Sequence, residues 1–333
     1  MVRNLKLKTM INMRQFLVII VTVITIYSCN ENYKNRSRLT GINTLSYTDV
    51  EYIGIRDSAI VSTYSGRIGK IINGIEKEEL FAQIDDEIYS LAYSKERNEI
   101  MASTMDSGIL VLNATNGKII KKLKTGASWI NDISISSDGK YLMGFNGHHE
   151  NFVWDVTKNY KPIDYPKDFP NAVVRLGKEN IIYHTGGGKL ILWYPETGQV
   201  KVTKSERGKL VDVNSNGDLL YLNHDELIIC TLKDTIRITI KKKHPDWPYY
   251  LASRDSIFRI PLQMKLTTAQ ITKNTVFTGG IDRSIRYWDV ATGHLKDELL
   301  KHGATISSIK ISKDLSQMVS VDLKGGIHYT NLQ

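Results

Sequence analysis

The strongest constraint on this chain is a strand–turn–strand pattern that returns about every 40 residues. The segment "GGIDRSIRYWDVATG" at 279–293 reappears in altered form as "STMDSGILVLNATNG" at 103–117, "GFNGHHENFVWDV" at 144–156 and "TGGGKLILWYPETG" at 185–198. Each unit opens with two β-rich arms around a polar break, as in "SLAYSKERNEIMAST" (90–104) and "DISISSDGKYLMGF" (132–145). These breaks centre near 57, 97, 138, 178, 216, 274 and 314, with gaps of 40, 41, 40, 38, 58 and 40. Asp138-Gly139 and Asn216-Gly217 are strong turn pairs because both residue types tolerate positive φ. Self-similarity at this period marks an array whose units bury their faces against one another. No long amphipathic helical pattern competes with it. The apolar residues alternate or run in short β-branched blocks, as strands sandwiched between sheets require. The gap of 58 places an insertion at about 244–261, "HPDWPYYLASRDSIFRIP", rich in proline and aromatics.

The first 28 residues follow different rules. Arg3, Lys6, Lys8 and Arg14 form a basic leader, and Phe16 to Tyr27 is an uncharged run of 12 residues. At about 1.5 Å per residue this is too short to cross a hydrocarbon core as a helix, and reads as an export signal. It ends in "IYSC", Ile26 to Cys29, which resembles a bacterial lipobox despite Tyr27 at a position usually held by a small residue. That resemblance implies cleavage before Cys29 and lipid on its sulfur and amino group. Met1, Met10 and Met13 are all candidate starts. Residues 29–38 read as a polar tether and 39–333 as the repeat domain.

Residues 1–28 hold four basic and no acidic side chains, so the remainder carries 40 against 35, a net charge of +5. Over that length, such a charge is too mild to indicate nucleic acid. Lys241 to Lys243 and the group Lys121, Lys122, Lys124 read as solvated strand residues. The chain has two cysteines; with Cys29 lipidated, Cys230 has no partner, and its setting "LIICTL" is that of a small core residue.

At "SIRYWDVATG" (284–293) and "NFVWDV" (151–156) the repeat resembles the WD-repeat (WD40-like) β-propeller family, whose unit ends in a Trp-Asp strand and a Thr-Gly-type turn. The resemblance covers about 45–333. Trp-Asp stands at Trp154-Asp155 and Trp288-Asp289; the matching sites hold Trp193-Tyr194, Leu112-Asn113, Cys230-Thr231 and Thr330-Asn331. Thr278, Asp282 and Trp288 match three places of the family's His, Ser/Thr, Asp and Trp tetrad, with no histidine found for the fourth. The resemblance implies an all-β, seven-bladed propeller of four-stranded antiparallel blades. Its last blade would be closed by the N-terminal stretch 39–47, which removes an exposed sheet edge.

In that scheme the second-to-third turns and the inter-blade connections share one face. His148, His149 and His224 fall in such turns, His184 ends a second strand, and His244 and His302 fall in connections. The insertion adds Trp247, Tyr249, Tyr250 and Phe258 to the same face. Histidines His148, His149, His224, His244 and His302 with these aromatics form the candidate binding surface, since aromatics dominate interaction hot spots. "GHHE" (147–150) is a poor metal site because adjacent residues point apart. "TGGGK" (185–189) is a hairpin turn, not a phosphate loop, because no helix follows to supply amides. Asp85 and Asp86 read as connection residues. No catalytic motif, cofactor or metal site is expected.

The leading expectation is a lipid-anchored, monomeric, non-catalytic module that binds a protein or envelope polymer in the bacterial cell envelope. Asn30 after the cysteine, by resemblance to familiar sorting rules, favours the outer membrane over the inner. A channel enzyme of lyase, lactonase or quinoprotein type is the alternative, and an apolar channel would count against it. An outer-membrane assembly lipoprotein is a third reading, against which the Trp-Asp endings stand.

Overall fold

The computed structural model describes residues 46–332, apart from 73, 127–128, 149, 167–168, 170–172, 178–179, 207, 224–225, 231–236, 241–246 and 261–264. The expected signal, Cys29, the tether and residues 39–45 of the expected closing strand lie outside the described residues. Among the described residues no helix is long and apolar enough to cross a membrane.

Seven antiparallel blades follow one another, each running outward in chain order from an inner strand. The inner strands are Tyr47–Tyr52, Ile88–Ser94, Ile130–Ile135, Val173–Leu176, Lys209–Val213, Leu266–Ile271 and Ile306–Ile311. Six blades have four strands and the seventh has three among the described residues. All seven expected turn centres fall between a first and a second strand. Positive φ occurs in six of these turns, at Asp57, Asn98, Gly139, Asn180, Gly217 and Leu315. In the two Gly-containing turns only the glycine takes the left-handed conformation, not the Asp138 or Asn216 before it.

Burial explains why the apolar pattern is not simple alternation. The second strands Ala59–Thr63, Glu99–Thr104, Tyr141–Asn146 and Gln317–Asp322 are buried at every residue, because a neighbouring blade covers each face. The outer strands Val200–Lys204 and Leu295–Leu299 are almost wholly exposed. The core is divided into seven clusters, each straddling one blade junction. Tyr47, Val50, Val61 and Ile71 of blade 1, for example, pack on Val319, Val321 and Ile327 of blade 7.

The ring therefore closes by packing between its first and last blades. Ser46 adds a hydrogen bond from its hydroxyl to the Leu323 carbonyl (3.0 Å). The expected closing stretch 39–47 needs one correction: Tyr47 is the first residue of blade 1's inner strand. On the third strand of blade 7, Ile327–Asn331, the outward Tyr329 amide donates to the Glu76 carboxylate (3.0 Å) from a blade 1 connection. A side chain thus engages part of this strand's outer edge, which limits its use as a pairing template.

The Trp-Asp sites end the third strands as expected. Trp154, Trp193 and Trp288 are buried. Asp155 accepts from Thr157 Oγ1 and the Lys158 amide, and Asp289 from the Ala291 and Thr292 amides. These aspartates organise the turn into the outer strand. Cys230 is half-buried and packed on the core between blades 4 and 5.

Candidate functional site

The inner strands build a polar channel that the repeat pattern alone did not announce. In six blades their pairing to the second strand shifts register at one place, between Tyr47 and Asp49, Ile88 and Ser90, Ile130 and Asp132, Leu210 and Asp212, Leu266 and Thr268, and Ile306 and Ser308. A bulge adds a residue and re-aims the side chains beside it. The bulge-following residue is Asp, Ser or Thr in every case, and most of these side chains reach the adjacent blade.

Hydrogen bonds then cross all seven junctions. Asp49 accepts the Leu91 amide (2.8 Å) and the Ser308 hydroxyl (2.6 Å), joining blade 1 to blades 2 and 7. Ser90 Oγ lies 3.0 Å from Asp49 and 3.1 Å from Asp132. Asp132 pairs with Arg175 Nη2 at 2.9 Å, and Arg175 Nε donates to the Val211 carbonyl at 2.8 Å. Asp212 accepts the Ile271 amide (2.8 Å), and Gln270 Oε1 accepts the Ile311 amide (2.9 Å). A serine hydroxyl holds one proton, so Ser90 can donate to only one of its two carboxylates. Burial raises the Asp49 carboxyl above the ordinary range, although Lys310 and the Ser308 and Leu91 bonds oppose it.

Asp212 is likewise pushed up, to about 6, by burial, against the Ile271 and Val213 amides and the charges of Arg175 and Lys310. Its native pKa exceeds its unfolded value, so the stability it contributes is full below about pH 4 and is lost as pH rises through 6. Asp212→Asn should therefore flatten the stability profile between pH 4 and 6, which urea titrations at stepped pH would show. An unchanged slope would refute the assignment.

The channel opens into a cavity of about 340 Å³ lined by inner-strand residues of blades 1 to 7, including Asp49, Asp132, Arg175, Lys209, Asp212 and Lys310. Its lining is charged, not apolar. Lys310 pairs with Glu51 at 3.0 Å. Among the described residues no group of three or more His, Cys, Asp and Glu side chains is arranged to hold a metal ion.

The face above the channel differs from expectation at two histidines. His302 does not offer itself to a partner: its side chain is 1 % exposed. Nδ1 faces Asp322 Oδ2 at 3.0 Å and Nε2 faces Ser320 Oγ at 2.8 Å, tying the connection into blade 7 to that blade's second-to-third turn. Burial pushes the Asp322 carboxyl up, but the bonds from His302 and the Gly326 and Lys324 amides outweigh it and hold it well below the usual range. The tetrad is thus split between blades. Blade 7 has His302, Ser320 and Asp322, with Thr330 at the Trp site; blade 6 has Trp288 Nε1 donating to Thr278 Oγ1 at 2.9 Å, with Asp282 paired to Arg286. His184 is fully buried against Tyr165 and Phe169. Asp86, read as an ordinary connection residue, is buried and accepts the Glu87, Asp106 and Ser107 amides, so it clamps the same two loops in blade 2.

His148 is exposed in its turn. His149, His224 and His244 lie outside the described residues. The insertion forms a separate two-stranded ribbon, Trp247–Leu251 with Ser256–Ile260. Trp247 is opposite Ile260, Tyr249 opposite Phe258 and Tyr250 opposite Ile257. Ile257 is 68 % exposed, Tyr250 56 % and Phe258 41 %. The Tyr250 hydroxyl donates to Asp255 Oδ1 (2.6 Å), which orients the ring. Trp129, missed in the sequence, is also exposed, and its indole N–H donates to Asn131 at the channel lining. The signal for it was an aromatic residue in an inter-blade connection.

No protein-family model matches the chain, and no curated protein matches it. Solved structures do match. One titled "Structure of U3-55K" superposes with a TM-score of 0.69 at 11 % identity, over 87 % of this chain and 96 % of that one. Another, "Crystal structure of RRP9 WD40 repeats", gives 0.68 at 12 %, over 84 % and 87 %. The fold is that of a WD40 propeller. At such identity the likeness concerns the architecture alone.

Proposed function

We propose that this WD40-type propeller is an exported lipoprotein, anchored through Cys29, that binds a protein or a cell-envelope polymer without catalysis. The observation that carries the reading is the ribbon 247–260, which presents Tyr250, Ile257 and Phe258 to solvent from the connection between blades 5 and 6. Exposed aromatic and aliphatic side chains on an ordered ribbon suit a contact surface, because their burial removes apolar area from water at small entropic cost. The outer membrane is the favoured location, on the basis of Asn30, and the propeller acts as a monomer.

The test is a photoreactive group at Tyr250 in the full chain, expressed in cells and followed by membrane fractionation. The expected result is one dominant adduct in the membrane fraction, lost together with membrane association in Cys29→Ser. Wild-type protein in the soluble fraction would sink the anchor, and absence of any adduct would sink the ribbon as the contact.

The channel-enzyme reading keeps one supporting observation, a charged channel lining where an apolar one would have spoken against it. Most of those charges are already engaged between blades, which accounts for them without chemistry.

A further inference from the structure

One channel charge is not accounted for by blade-to-blade bonding. Asp49, Asp132 and Asp212 each accept hydrogen bonds from neighbouring blades, and Lys310 is paired with Glu51. Lys209, first residue of the inner strand of blade 5, lines the same cavity, and its ammonium has no hydrogen-bond or ion-pair partner among the described residues. The other cation on that side of the cavity, Arg175, is held in place by Asp132 and the Val211 carbonyl. Two cations from adjacent blades therefore line the same cavity, one held in ion-pair and hydrogen-bond contacts and the other without a partner among the described residues.

We propose that the channel binds a small oxyanion, a carboxylate- or phosphate-bearing metabolite, held between Lys209 and the Arg175 guanidinium. The cavity, about 340 Å³, suits a small metabolite. Arg175 is fixed by its own bonds, so it presents its charge without reorganising, and charge-assisted bonds to an oxyanion are the strong ones. The Lys209 side chain is reached by solvent within the channel yet hemmed by protein. Desolvation first, then Arg175, lower its pKa from the ordinary value, with Asp132 acting the other way. A bound anion would supply the missing counter-charge. This site is independent of the ribbon and of the lipid anchor, so its failure leaves the envelope role untouched.

Calorimetry and thermal melting of the full chain, with inorganic phosphate and with succinate at matched ionic strength, test it. Saturable binding of either ion is expected; which one binds more tightly assigns the phosphate or the carboxylate class. Lys209→Gln should weaken that binding roughly tenfold, Lys209→Arg should retain it within a few-fold, and Lys204→Gln on an exposed outer strand should change nothing. Without ligand, Lys209→Gln should melt at the wild-type temperature or above it, because it removes a charge crowded against Arg175. Failure of both ions to saturate by about 10 mM, equal binding by Lys209→Gln, or a lower melting temperature of unliganded Lys209→Gln would each overturn the proposal.

Discussion

Asp49→Ala is expected to lower the stability of the propeller by about 4 kcal/mol, seen as a shift of the urea midpoint. Asp49 bonds to both neighbouring blades at once, through the Leu91 amide of blade 2 and the Ser308 hydroxyl of blade 7, across the seam where the first and last blades meet. Alanine leaves that amide and the Ser308 hydroxyl without their acceptor in a buried seam, while Ser90 keeps Asp132. Each unsatisfied buried group costs about 1–3 kcal/mol. Asp49→Asn should cost roughly 1 kcal/mol, because the side chain keeps one acceptor oxygen and its amide nitrogen can donate to Ser90 Oγ, which still has Asp132 as an acceptor. The two variants separate hydrogen bonding from charge. The carboxyl is raised by burial, so its contribution is full at low pH and lost as pH rises through its native pKa; the gap between wild type and Asp49→Asn should shrink or reverse on that rise. Equal costs for Ala and Asn would show that the seam does not depend on these bonds.

His302→Ala is expected to cost about 3 kcal/mol. The imidazole bridges Asp322 and Ser320 where the side chains of His302 and Asp322 are each 1 % exposed, so its removal strands a carboxylate away from water. The Gly303, Lys324 and Gly326 amides still reach Asp322, which keeps the loss below that of a fully isolated charge. The linkage has the opposite sign to that of Asp49. The native Asp322 carboxyl is depressed, so the stability it confers is present above about pH 4 and is lost as pH falls through its native pKa. The difference between wild type and His302→Ala should therefore be largest near neutrality and narrow in acid. A cost below about 0.5 kcal/mol, typical of surface substitutions, would return His302 to the candidate binding surface.

The repeat was legible because its determinants are local. Asp57, Asn98, Gly139, Asn180 and Gly217 sit in turns whose backbone they favour, and the strands between them are β-branched or aromatic. The insertion was legible as a break in spacing, and its ribbon pairing puts Tyr250 opposite Ile257, a residue that attention to aromatics alone passed over. His302 was misread because a histidine in a connection looks alike in sequence whether it faces water or Asp322 beneath it. The channel ring did leave a trace: Tyr47-Thr48-Asp49-Val50, Ile130-Asn131-Asp132-Ile133, Leu210-Val211-Asp212-Val213 and Ile306-Ser307-Ser308-Ile309 share an apolar, any, polar, apolar order. That order is short and common, and it becomes informative only once the bulge is known to aim its third residue at the next blade.

The amino-acid sequence by itself determined the number of blades, the turns within them, the third strands ending at the Trp-Asp sites and the place of the insertion, because strand period and turn preference act over a few residues. Tertiary structure alone decided which polar side chains meet. Asp49 and Ser308 are 259 residues apart and touch only because seven blades close into a ring. The stacking of blade 5 on blade 4 brings Lys209 and Arg175 to one cavity, since the charge balance of a channel depends on which blades adjoin and not on any one stretch of chain.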